Sequence, residues 1–458
     1  MPTVVNPRDP QEIIARVRGM EQDKVKVAVT DIDGILRGKY IHKDKFLSAA
    51  ADGFGFCNVV FGWDCGDACY DNARYTGWHT GYPDAHASID LSTFRRIPWD
   101  HDVAFFLADF LDAAGQPLAV CPRQLLKTVV QRARNAGYAP RFGLELEWFN
   151  FRETPDSLQQ KQFAALQPLS SGMFGYSILR SSLNGDYCNA LLDDLNAFGV
   201  PIEGLHTETG PGVFEAAIVS SEVLEAADRA VLFKTAVKEI AYRFGIVPTF
   251  MAKINPQLPG CSGHLHQSLC RGDDGSNLFF SEAPSGMSPV FESYLAGQLQ
   301  CLPDILPLFA PNVNSYKRLV EGHWAPTRVT WGIDNRTAAL RVIKGGRKAT
   351  RLETRVSGSD INPYLGVAAA LASGLYGIER GLRLQQEAIK GSAYQADGAA
   401  RLPTNLAQAA ERMGRSEVAR ELFGEAFVDH YVNTRLWEWR QFEQQVTHWE
   451  RQRYLEII

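Results

Sequence analysis

Between Phe142 and Phe149 the chain reads FGLELEWF, so that Phe142, Leu144, Leu146 and Trp148 alternate with Gly143, Glu145, Glu147 and Phe149. A period of two is the strand signal. It predicts a strand with one apolar face against a core. Residues two apart on a strand leave on the same side, roughly 6.6 Å from each other, which sets Glu145 and Glu147 side by side. On an exposed face these are two solvated carboxylates. On a buried face, like charges held this close need cations. The same reading predicts a hairpin in VKVAVTDIDGILRGKYI, turning at Asp33-Gly34, and a further strand over 102–112. Residues 25 to about 112 read as short strands and turns. A helix starts at Asp9 as N-cap, with Pro10 at N1 and Glu12 closing a capping box. Gly and Pro around 112–123 place a domain boundary near 115. A helix then runs from Pro122 to the stop at Gly137, and a long amphipathic one over 221–244 ends at Gly245. Strands and loops alternate to about 356, and from Asn362 the chain is mostly helical.

Composition narrows the class. The length of 458 residues allows about three domains, or one large domain with a smaller partner. Apolar content of 45% and charged content of 22% are those of a globular chain. A net charge of −5 gives no footprint for nucleic acid or an anionic membrane. No run of 18 apolar residues predicts a membrane span. The N-terminus lacks the basic-then-apolar pattern of a signal peptide. Eight cysteines occur without a CxxC pair, and Cys65 and Cys69 have no matching pair downstream, so free thiols in a reducing cytoplasm are expected.

Ionisable residues two apart recur after the first strand. GHLHQSL puts His264 and His266 on one face, and TRLETRV does the same for Arg351, Glu353 and Arg355. HTETGPGVFEAA holds Glu208 and Glu215 on either side of a Gly-Pro-Gly turn. Singly, each is a satisfied core histidine or a solvated charge. Jointly, five glutamates and a histidine supply hard oxygen ligands and one imidazole, a mix that suits Mg²⁺ or Mn²⁺ better than zinc or copper. Arg318, Arg336, Arg341, Arg347, Arg351 and Arg355 crowd into the following stretch. Facing such a site they would bind phosphates and carboxylates through paired N–H donors. Metals with arginines describe nucleotide-dependent transfer. The chain has no GxxxxGK[ST] loop, so it is not a P-loop enzyme.

GLELEWF, GHLHQSL, NSYKRLV, WGIDNRTAALR and RLETR followed by NPYL, with DIDGILRGK nearer the start, resemble the glutamine synthetase family in their order. The resemblance spans nearly the whole chain. It implies an α+β fold: residues 1–114 as an N-terminal helix and β-grasp domain, and residues 115–458 as a catalytic α/β domain with a curved antiparallel sheet. It implies rings, usually dodecamers, with active sites shared between neighbours. Glu147, Glu208 and Glu215 match the ligands of one metal ion, and Glu145, His264 and Glu353 those of a second. Arg318 matches the arginine that holds the glutamate α-carboxylate, and Arg355 one near the reacting carboxylate. Arg336 and Arg341 match phosphate-contacting arginines, Arg336 also in a catalytic role, and Gly260 falls in the substrate-binding set. His266, Ser268, Lys348 and Arg351 fall where the family handles ATP. The implied cofactors are ATP and two or three Mg²⁺ (or Mn²⁺). The implied reaction phosphorylates the side-chain carboxylate of glutamate, and a nitrogen nucleophile then displaces phosphate.

The departures concern the nucleophile. The family's flap, roughly Pro-Gly-Tyr-Glu-Ala-Pro, reads EGHWAP here. Trp324 therefore stands where ammonia-using members place a glutamate. A tryptophan accepts no proton but packs on an alkyl chain or holds an alkylammonium over its ring. FGWDCGD replaces the ammonium-site motif, with Asp64 or Asp67 as counterparts, and PGCSGH and RVSGSD replace two further family segments. GSAYQADG around Tyr394 lacks the flanks of the family's adenylylation loop, so that control is not expected. The expected activity is that of the γ-glutamyl-amine (polyamine-type) branch: a cytoplasmic, ring-forming ligase for glutamate, ATP and a primary amine, with Asp64, Asp67 or Glu321 as the base. The rivals are an ammonia-dependent glutamine synthetase, a non-catalytic ring-forming homologue and a guanidino phosphotransferase. Retention of all six matched ligand positions argues against the scaffold, and the glutamate-binding arginines against the phosphotransferase.

Overall fold

The computed structural model describes residues 9–396 and 398–458. The first helix, Pro10–Arg18, is capped by Asp9, which accepts from the Gln11 amide. The cap is this single bond rather than the reciprocal box expected with Glu12. β1 (Lys24–Thr30) and β2 (Leu36–His42) form the expected antiparallel hairpin. Its turn is wound on Asp31, whose Oδ1 accepts from the amides of Asp33 and Ile35 at 3.0 and 2.9 Å. Gly34, at φ +82°, leaves no room for a side chain, because a Cβ there would meet Asn362 Cα at 2.9 Å. Asn362 donates Nδ2 to the Ile32 carbonyl at 3.1 Å. The DIDG and NPYL motifs are thus two halves of one contact.

β3 (Phe54–Cys57), β4 (Asp84–Ile97) and β5 (Val103–Leu111) complete a five-stranded sheet of order β2-β1-β5-β4-β3, in which β1 and β5 run parallel. β5 is buried on both faces. Phe106, Ala108 and Phe110 join Val25, Val27, Val29 and Phe46 in one core, whereas Phe105 and Leu107 face the larger core of the second sheet.

The second sheet is built on β6 (Tyr138–Phe151) and continues through β7 (Ile202–Thr207), β8 (Val213–Ile218), β9 (Ser221–Glu222), β10 (Val247–Thr249), β11 (Gly263–Arg271), β12 (Trp331–Ile333), β13 (Leu340–Ile343) and β14 (Arg351–Thr354). Its main path is β12-β13-β14-β11-β6-β8-β7, with β9 and β10 also on β6. All pairs are antiparallel except β12–β13. Phe142, Leu144, Leu146 and Trp148 are buried as the alternation requires. Trp148 packs against Phe214, Phe233 and Phe250 with centroids 5.5–6.0 Å away. The helices Pro122–Asn135, Val223–Tyr242 and Pro363–Glu379 pack together in this core. The long amphipathic helix starts two residues later than predicted, because Ser221 and Glu222 pair with β6 and Glu222 caps the helix. All eight cysteines are free thiols. Among the described residues, no helix is long and apolar enough to cross a membrane.

The two sheets are tied by a buried charge network. Arg123, 2% exposed, grips both oxygens of Asp228 at 2.8 Å each and reaches Asp109 at 2.8 Å and Asp90 at 2.9 Å. Tyr364 donates to the same Asp228 at 2.7 Å. Removing one member of a buried ionic network leaves the others uncompensated, at a cost of about 3–5 kcal/mol. Arg123→Met is expected to lose about that much in urea unfolding; a loss below about 1 kcal/mol would contradict this role for the network.

Candidate active site

Strand register assembles the site. On one side of β6, Glu147 lies opposite Glu215 on β8, and Glu215 opposite His206 on β7. On the other side, Glu145 lies opposite His264 on β11. Glu353 on β14 then lies opposite His266, and Arg341 on β13 opposite Glu353. Residues from six strands meet on the face of β6 that carries the two glutamates. The apolar face behind them is locked into the core, so a slip of one residue would bury the acids and expose Trp148.

Glu145, His264 and Glu353, predicted to act together, do meet. His264 Nδ1 lies 3.6 Å from Glu145 and 3.3 Å from Glu353. His266 comes as close, with Nε2 at 3.2 Å from Glu145, and the donor atoms of Glu145, His266 and Glu353 fall within 4.8 Å of one another. Hydrogen bonding separates the two imidazoles. Arg351 donates Nε to His266 Nδ1 at 3.1 Å. That bond assigns the proton of neutral His266 to Nε2, toward Glu145, and leaves no lone pair there for a cation. His264 faces the gap between the acids with Nδ1, and the Nε2 of each imidazole is buried without a hydrogen-bond partner. Burial would raise both carboxyls, but His264 and His266 hold Glu145 far below the ordinary range. His264 and Arg355 bring Glu353 to about 2.

Glu147, Glu208 and Glu215 form a second acidic cluster. The Ser262 amide donates to Glu147 at 2.6 Å. Burial, then the charge of Glu215, pushes the Glu147 carboxyl well up. One oxygen of Glu208 is buried without a partner. The basic group against Glu215 is His206, at 3.5 Å, on whose ring Tyr176 stacks at 4.2 Å. Half-buried carboxylates, one with an orphaned oxygen and one pushed toward its protonated form, are hard oxygen donors of the kind that suit a divalent cation.

Arg318, 2% exposed, donates to the Val356 and Arg355 carbonyls at 3.1 and 3.2 Å and to Ser262 Oγ at 2.9 Å. Gly260 presses on it, since a Cβ there would lie 2.8 Å from Arg318 Cγ and 2.2 Å from the Ala252 carbonyl. Arg355 pairs with Glu353 and donates Nε to the Arg336 carbonyl at 3.0 Å, and Arg341 reaches Glu353 at 2.9 Å. The Arg336 side chain is exposed. A cavity of about 1100 Å³ opens beside Glu145 and is lined in part by His266, Ser268, Lys348 and Arg351. This volume accommodates a nucleotide.

The nucleophile-side residues are dispersed within one chain. Asp64 Oδ1 is used by the Gly66 and Ala68 amides of its own loop, at 2.9 and 2.8 Å, and Asp67 pairs with Arg37 at 2.6 Å. Glu321 lies on the flap, exposed, with Arg401 at 4.0 Å. Trp324 follows at φ +61° and is 58% exposed. Two residues of this region were not picked out from the sequence. His206 stands two before Glu208, the same spacing that marked the other pairs. Tyr176 carries no local signal, and Tyr394 was weighed only as a site of adenylylation.

The family profile described as "Glutamine synthetase, catalytic domain" matches residues 119–454. The chain is 55% identical over 450 residues, 97% of this chain and 86% of that protein, to "Type-1 glutamine synthetase 2" of Dictyostelium discoideum. It is 37% identical over 440 residues, 95% of each chain, to "Glutamate--isopropylamine ligase" of a Pseudomonas species. A solved structure of a GmaS/ADP complex superposes with a TM-score of 0.84 at 28% identity, covering 97% of this chain and 99% of that one.

Charge repulsion in the acidic clusters sets an expectation. A carboxyl whose folded pKa is raised, as for Glu147, costs stability as pH climbs from its unfolded value toward the folded one. A bound cation cancels that cost. Mn²⁺ at a hundredfold excess over Kd is expected to stabilise the chain by about 2.7 kcal/mol near neutral pH, less at pH 5, and little in Glu147→Gln or Glu208→Gln. Thermal unfolding with and without the ion checks this; an equal shift in the variants would contradict it.

Proposed function

The chain belongs to the glutamine synthetase family, and we propose that it joins the γ-carboxylate of glutamate to a primary amine, cleaving ATP to ADP and phosphate. Within this reading Arg318 and Arg355 orient the acid, Arg341 and Arg336 meet the phosphates, and His266, Ser268, Lys348 and Arg351 hold the nucleotide. Gly260 lets the backbone approach the acid. Glu147, Glu208 and Glu215 would hold one divalent cation and Glu145, His264 and Glu353 another. Bound there, Mg²⁺ or Mn²⁺ supplies positive charge where the phosphate tail meets the carboxylate. A γ-carboxylate oxygen attacks the terminal phosphorus and ADP leaves. The amine nitrogen then attacks the acyl carbon, phosphate leaves, and the nitrogen gives up a proton.

The observation that carries the choice of nucleophile is Trp324 on the flap, which offers an aromatic face and no carboxylate. An alkylamine arrives protonated at neutral pH, and the ring suits its cation and its alkyl chain. Of Asp64, Asp67 and Glu321, Glu321 shares the flap loop with Trp324 and is our choice of base. In a ring, Asp64 and Asp67 would belong to the neighbouring subunit's site. Exposed Phe174, Tyr176, Ile178 and Leu179, with Leu455, Ile457 and Ile458 at the C-terminal end, support such an assembly. We divide the chain at 114/115 and place the enzyme in the cytoplasm. The Dictyostelium relative, by its name, supports a second reading, an ammonia-dependent synthetase with an unusual flap.

Phosphate release over a panel of amines and ammonium separates the two. The expected result is turnover with at least one primary amine well above that with ammonium. In Trp324→Glu, kcat/KM for the amine is expected to fall about tenfold or more, about 1.4 kcal/mol, while that for ammonium rises. Activity on ammonium alone, or an unchanged nucleophile preference in the variant, would reject the amine reading.

A further inference from the structure

A buried hydroxyl beside the flap has no role in the reaction as derived so far. Tyr394 sits in the short turn Ala393–Gln395. Its hydroxyl oxygen is buried and lacks a hydrogen-bond partner. Burial pushes its hydroxyl up, against the charges of Arg355 and Arg318 and the backbone of Trp324, and Glu321 adds to the rise. The turn is pinned. Thr337 Oγ1 accepts from the Ala393 amide at 2.9 Å, and Asn335 Nδ2 donates to the Gly391 carbonyl at 2.8 Å. Thr337 and Asn335 flank Arg336, whose carbonyl accepts from Arg355. The loop that carries the tyrosine is therefore built onto the loop that carries Arg336, whose carbonyl in turn holds the glutamate-side Arg355.

Burying a hydroxyl without a partner is unfavourable, because its hydrogen bonds to water are lost and not replaced. Such a group on a pinned loop fits a site where its partner arrives with substrate. The arginines already supply donors for the carboxylates of glutamate. An incoming nitrogen instead needs an acceptor for an N–H that the base Glu321 does not take, and the Trp324 ring does not provide one. The phenolic oxygen has lone pairs to give. We propose that Tyr394 is a specificity-determining residue of the nucleophile subsite, its oxygen accepting an N–H of the incoming amine while Trp324 covers the alkyl part. This inference rests on the ligase reading above.

The test is the conservative variant Tyr394→Phe, which keeps the ring and removes the acceptor. The KM for the best amine of the panel is expected to rise about tenfold, with the KM for glutamate and kcat within about twofold and the thermal midpoint unmoved. A merely structural role would shift the midpoint or all parameters together. A rise in the glutamate KM with the amine KM unchanged would assign the hydroxyl to the acid instead and overturn the proposal, as would no change in either. If the wild-type enzyme uses ammonium alone, the ligase reading fails, and the ammonium KM of Tyr394→Phe still decides whether the oxygen contacts the nucleophile.

Discussion

The site depends on electrostatic repulsion held in place by hydrophobic packing. Glu145 and Glu147 share one face of β6 because Leu144, Leu146 and Trp148 are locked into the core on the other. The strand cannot slip to relieve the charge without exposing that apolar face. The neighbouring strands deepen the strain, since β8 sets Glu215 against Glu147 and β14 brings Glu353 toward Glu145. The protein's own cations answer only part of it: Arg341 and Arg355 pair directly with Glu353, whereas in the Glu147 cluster His206 stands against Glu215 and Arg318 acts on Glu147, and the Glu147 carboxyl is still pushed well up. The asymmetry leaves a place for added positive charge, and with it a nucleotide tail.

The second constraint is the tautomer of His266. The bond from Arg351 commits one of two neighbouring imidazoles to donating toward Glu145 and leaves the other with its nitrogens unclaimed by neutral partners. Distance alone groups His266 with the acids. The proton inventory favours His264, as the family resemblance does. The same arginine lines the large cavity, so whatever fills that cavity acts on the imidazole geometry as well.

Much of this was legible because strand alternation is local. The period of two in FGLELEWF marked β6, its core face and its paired acids, and the same spacing exposed His264 with His266 and Arg351 with Glu353. Which histidine meets which acid is a matter of register between strands far apart in sequence, and alternation carries no register. The N-terminal cap illustrates the limit at short range: Asp9, Pro10 and Glu12 have the spacing of a capping box, yet Asp9 is satisfied by the Gln11 amide. Tyr176 was invisible, and Tyr394 was weighed only for adenylylation, because their loops are placed by long-range bonds, to Thr207 and Thr337. Asp64 was offered, with Asp67, by likeness to a family motif, and its Oδ1 accepts from the amides of its own loop.

Anomalous diffraction from crystals grown with Mn²⁺ addresses the central claim most directly. The account predicts one peak among the carboxylates of Glu147, Glu208 and Glu215, and another bounded by Glu145, Glu353 and His264 Nδ1, with His266 still bonded to Arg351. Density for the ion elsewhere, or none at either cluster, would contradict it.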